Sequence, residues 1–120
     1  NKIKNMGMEN FGEQMRSQEK VAVTREQVVE AMATSKENFE VLGQFIDQLQ
    51  AEADGGKINL VELNKQVADI YVDLNEKDPE WFDQAMVALE DLYMIASQMD
   101  DYANVSYARM IEDRLKAKQG

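Results

Sequence analysis

The sequence predicts an all-α fold: a three- or four-helix bundle with a long first helix and a mobile N-terminal arm. Three observations carry that reading. Apolar residues recur at helical spacing along most of the chain from Val28 onward. The apolar runs open on capping patterns, and the single proline, Pro79, falls where a helix would begin rather than inside one. Hydrophobic residues are 44% of the 120, enough for the core of one domain. The expected division is a flexible arm over 1–22 and a single helical domain over 23–120.

Residues 1–22 are polar, with Met8, Phe11 and Met15 giving a thin apolar stripe. Its lysines are followed by no apolar stretch of the signal-peptide kind. Thr24 and Gln27 then form a capping box, and a helix is expected over 24–53. Along it Val28, Leu42 and Leu49 occupy one heptad position, and Met32, Phe39, Ile46 and Ala53 the other. Ser35 interrupts the first series. Val29, Val41 and Phe45 broaden the stripe beyond a two-stranded seam, which favours a globular bundle. Thirty residues of helix would span about 45 Å. A seam that long, left open by shorter neighbours, predicts burial in a homodimer.

Gly55 and Gly56 mark the stop of that helix, and Asn59 with Glu62 the start of a second over 59–76. Its apolar face is Leu60, Leu63, Val67, Ile70 and Leu74. Asp78 and Pro79 then open a third helix over 79–117, through Phe82, Ala85, Met86, Leu89, Leu92, Tyr93, Ala96 and Met99. Ala108, Ile111 and Leu115 continue the pattern after a weak point near Asp100. Continuation with a bend and a fresh helix from about Asp101 both fit there, because no glycine or proline forces a break.

The stretch DGGKINLVEL, 54–63, resembles the second half of a calcium loop. With Gly56 at loop position 6, however, Ala51, Ala53 and Gly55 occupy positions 1, 3 and 5, where oxygen ligands are needed. A glycine stop followed by a helix start accounts for every residue of it.

The chain has no histidine and no cysteine, which removes the commonest general base, thiolate nucleophiles and the usual zinc ligands. Bundle metal sites built on Glu-x-x-His and phosphate-cradling glycine motifs are absent as well. No enzymatic activity, cofactor or metal site is expected. The charge is −10, and 62–101 holds eleven acidic residues against Lys65 and Lys77, a net of −9. Such a field repels nucleic acid and anionic membranes and attracts basic proteins. Asp69, Asp73, Glu76, Glu80, Asp83, Glu90 and Asp91 are therefore the candidate surface for a basic partner, with Trp81 as a candidate interface anchor. The bland alternative is a solvated acidic face around a core whose methionines are filler, with Phe82 in that core and Trp81 covering the adjoining turn. The expectation is a small, acidic, cytoplasmic, non-enzymatic protein acting by protein–protein interaction, as adaptor, assembly chaperone or regulator. It would bind neither nucleic acid nor membrane directly. The alternative is an acidic nucleic-acid mimic, of the kind mobile elements use, that blocks a DNA- or RNA-binding protein.

Overall fold

A computed structural model describes residues 22–35 and 38–119, and every regular element among them is helical. All but the last residue of the predicted arm over 1–22 lies outside them. Thr24 opens α1 (Arg25–Thr34) as a complete capping box: its Oγ1 accepts the Gln27 N–H at 3.2 Å, and Gln27 Oε1 accepts the Thr24 N–H at 2.9 Å. The predicted 30-residue helix does not run on. Ser35 is extended (φ −146, ψ 118), and α2 (Phe39–Asp54) starts after Asn38. Thr34 and Ser35 put two hydroxyls in succession, which compete with helical hydrogen bonding; Thr34 Oγ1 donates back to the Glu30 carbonyl at 2.9 Å.

Tertiary packing explains why the break is favoured. The Gln48 side-chain amide accepts from the Val23 N–H at 2.6 Å and donates to the Val23 carbonyl at 2.9 Å, so the start of α1 lies beside the second half of α2. The two helices thus fold back on each other. Val28, Val29 and Met32 of α1 and Leu42, Phe45 and Leu49 of α2 are buried together against Ile70 and Leu74. Fully burying such a side chain stabilises by about 1.5–3 kcal/mol. The few helical hydrogen bonds lost at the break are worth only about 1 kcal/mol each. Burial wins. Phe39, expected in the seam, is 54% exposed at the new helix start.

The glycine stop forms as a Schellman turn. Gly56 is left-handed (φ 79), its N–H donates to the Ala53 carbonyl at 3.1 Å, and the Lys57 N–H to the Glu52 carbonyl at 2.8 Å. The calcium-like phrase is therefore the end of α2 and the entry to α3 (Leu60–Lys77), which Asn59 caps by accepting the Glu62 N–H at 2.8 Å. Asp78 then accepts the Glu80 N–H at 3.0 Å over a short 3-10 turn, Pro79–Trp81, that leads into α4 (Phe82–Gln98). The weak point near residue 100 is a true break, and α5 (Tyr102–Gln119) is a separate helix. Asp100 takes the left-handed position (φ 57), with the Asp101 N–H donating to the Ala96 carbonyl at 2.8 Å and the Asp100 N–H to Ser97 at 3.2 Å. This is the same Schellman turn as at Gly56, built on an aspartate, one of the few residues that tolerates that conformation. Asp101 then starts α5 by accepting the Asn104 N–H at 3.2 Å.

α3 is the shared element. Ile70 and Leu74 face α1, α2 and Trp81, while Val61, Ala68 and Val72 pack with Ala85, Leu89, Leu92 and Ala96 of α4 and with Ala108, Ile111 and Leu115 of α5. Its predicted single apolar face is therefore two faces. The small residues of α4 and α5 allow close helix approach on that side.

Candidate functional site

The acidic segment divides by environment. Arg25, the first residue of α1, reaches α3: its Nε donates to Asp73 Oδ2 at 2.9 Å, and its Nη1 is 3.5 Å from Asp69 Oδ2. Lys65 Nζ stands 3.3 Å from the same Asp69 oxygen, and the Tyr107 hydroxyl of α5 donates to Asp69 Oδ1 at 2.6 Å. Burial works against the charge on Arg25, but the hydrogen bond and field of Asp73, with Asp69 and Glu26, outweigh it and raise its pKa. Burial first, and then the bond to Asp69, push the Tyr107 hydroxyl up to about 12, so at neutral pH it remains a donor. Lys65 also lies 4.7 Å above the Tyr107 ring. Asp69, at 6% exposure, is thus an interior acceptor joining α1, α3 and α5 rather than part of a partner-facing surface. A buried carboxylate needs such partners, and these supply them.

Trp81 is also placed differently from the expectation. It is 4% exposed and belongs to the core under α1 and α2, its ring centroid 6.0 Å from that of Tyr71. The 3-10 turn after Pro79 packs the indole into that core, leaving Phe82 half-buried on the α4–α5 side. Trp81 is a core residue, not a surface anchor.

Of the remaining candidates, Glu76 is exposed and 4.0 Å from Lys118. Glu90 is directed at α5, where it meets Glu112, a carboxyl 1% exposed that the sequence pattern did not single out. Glu112 Oε1 accepts from Arg109 Nη1 at 3.2 Å, while its buried Oε2 has no hydrogen-bond partner among the described residues. Arg109 in turn stacks 3.8 Å over the Tyr93 ring. Burial pushes the Glu112 carboxyl up, the Glu90 carboxylate beside it adds to that, and Arg109 opposes it. A proton on Glu112 relieves the repulsion between the two carboxylates.

Asp83 and Asp91 share an open site with apolar surface; Asp73 and Glu76 line another, of about 460 Å³ beside Val29, but there Arg25 already holds Asp73 and Lys118 stands near Glu76. A groove of about 490 Å³ runs between α3 and α4. α3 contributes Asn64, Val67 and Tyr71, and α4 contributes Ala88, Val87 and Gln84 between the two aspartates. Val87 is 62% exposed. Through Tyr71 and Gln84 the groove continues into a recess of about 220 Å³ that Phe39, Glu80 and Trp81 complete. Among the described residues neither Asp83 nor Asp91 has an ion-pair partner. The arrangement offers an apolar floor beside two uncompensated charges. The sequence did hold a signal for it: Val87 and Met94, seven residues apart, are surplus to the stripe that α4 needs for its core.

No family model matches this chain, and no curated protein or solved structure matches it. Among the described residues no helix is long and apolar enough to cross a membrane.

Proposed function

We propose that this is a small non-enzymatic interaction protein, an adaptor, assembly chaperone or regulator, that holds a basic partner protein against its α3–α4 side. The observation that carries the reading is the open groove in which exposed Val87 lies between Asp83 and Asp91, neither with an ion-pair partner among the described residues. Apolar surface rimmed by charge is what a protein-binding groove offers a partner of opposite charge. The lack of histidine and cysteine supports a binding role over a catalytic one.

Mimicry of a nucleic acid fits the same geometry less well. It calls for rows of outward carboxylates at phosphate-like spacing. Here Asp69 is interior, Asp73 is tied to Arg25, and Glu90 turns toward Glu112. The argument for a homodimer loses its basis too, because Val28, Met32, Leu42 and Leu49 of the supposed open seam are buried within the chain.

The test is affinity capture from native lysate at low and high salt, with the wild type and the Asp83→Lys/Asp91→Lys double variant compared. A protein retained by the wild type, released by salt and lost with the variant is the expected result. Identical recovery with both baits would defeat the reading.

A further inference from the structure

We propose that the α3–α4 groove receives a basic amphipathic helix, laid along the groove with two Lys or Arg side chains seven or eight residues apart against Asp83 and Asp91. This rests on the interaction-protein reading above and specifies the partner's chemistry.

Spacing supplies the first argument. Asp83 and Asp91 are eight residues apart on α4, about 12 Å at 1.5 Å rise per residue. Two basic side chains at i and i+7 or i+8 of a helix lying alongside span the same distance. Charge is the second. Both aspartates lack an ion-pair partner among the described residues, whereas Asp69 and Asp73 on α3 are already compensated by Arg25 and Lys65. Among the described residues the groove therefore keeps both negative charges for a basic occupant. On the opposite wall Asn64 Nδ2 donates to the Leu60 carbonyl at 2.8 Å, which leaves its side-chain oxygen as a further acceptor.

The shape of the occupant follows from the backbone. Both walls are helices, whose mid-helix N–H and C=O groups are already bonded within each helix. An extended peptide would find no sheet edge to pair with and would leave its own backbone groups unmatched. A helix brings its backbone bonds with it and needs only a side-chain stripe. That stripe must be apolar, since the floor is Val67, Tyr71, Val87 and Ala88. The stretch from Asp83 to Asp91 matches somewhat more than two turns of such a helix. One larger apolar side chain at its end would enter the recess beside Phe39 and Trp81.

Trp81, the one tryptophan of the chain, stands at that recess and reports on it. The probe is a synthetic peptide of about 18 residues, long enough for several helical turns. It is made of Leu, Ala and Lys, with leucines at i, i+3, i+4 and i+7 and lysines on the flanks. A twin with every lysine replaced by glutamate is the control. Trp81 fluorescence should change saturably with the basic peptide and not with the acidic one, and binding should weaken as salt rises. Asp83→Lys/Asp91→Lys should lower affinity by about tenfold or more, two exposed charge pairs being removed and reversed. Glu26→Lys/Glu30→Lys makes the same change in net charge on the exposed side of α1 and should alter affinity by less than about twofold. Circular dichroism verifies that both variants fold. No binding of the basic peptide, equal binding of the acidic twin, or equal loss in the two variants overturns the proposal. If lysate capture still depends on Asp83 and Asp91 while the peptide fails, the interaction reading stands and the basic-helix inference falls.

Discussion

Glu112 places a carboxyl in the α4–α5 core beside a second carboxylate, Glu90, with Arg109 as the one cation that touches it among the described residues. Burial and Glu90 raise its pKa in the fold above that of the unfolded chain. The folded state therefore holds the proton more tightly. Stability from this group is fully present below the ordinary glutamate range and is lost as pH rises through the folded value. Glu112→Gln removes the titration and keeps a donor for Glu90. Thermal denaturation from about pH 5 to pH 8 should show the wild type losing melting temperature toward neutrality more steeply than the variant. Parallel curves would mean that Glu112 is ionised throughout. No sequence pattern exposed this pair, because Glu112 follows Ile111 on a helix otherwise rich in charge. Anchor and core roles for Trp81 could not be separated from the sequence for a related reason: the 3-10 turn decides where the indole points.

At the scale of elements, Gly56 and Asp100 solve one problem with different residues. Each ends its helix in a left-handed turn that carries the same pair of backbone hydrogen bonds. For aspartate the conformation costs roughly 1 kcal/mol that glycine does not incur. Asp100→Gly should therefore stabilise the protein by up to about 1 kcal/mol, since the bond lost, from the Tyr102 hydroxyl at 3.2 Å, is exposed. Gly56→Ala should destabilise by a similar amount. Chemical denaturation of both variants measures this, and a destabilised Asp100→Gly would show that the turn is held by its side chain. Helix starts at Thr24, Asn59 and Asp78 were legible because a side-chain cap is complete within four residues. The breaks at Ser35 and Asp100 were less so. Both residues permit a break without imposing one, and packing against α3 and α4 makes the choice.

Across the whole molecule, the acidic bias of 62–101 was plain in the sequence, yet its division into interior and outward carboxylates was not. That division depends on pairings across the chain: Arg25 with Asp73, 48 positions away, and Tyr107 with Asp69, 38 away. Such partners follow from α3 lying between the α1–α2 pair and the α4–α5 pair, an arrangement the heptad reading of a long straight helix precluded. With Asp69 buried, Asp73 held by Arg25 and Glu90 beside Glu112, Asp83 and Asp91 are the pair that flanks the α3–α4 groove with no ion-pair partner among the described residues. Binding at that groove is the central claim. Amide chemical shifts of isotope-labelled protein, followed while the basic amphipathic peptide is added, test it most directly. The account predicts that the large shifts gather at Asn64, Val67 and Tyr71 on α3 and between Asp83 and Asp91 on α4. Shifts centred on Glu26 and Glu30 of α1, or on the exposed face of α5, would contradict it.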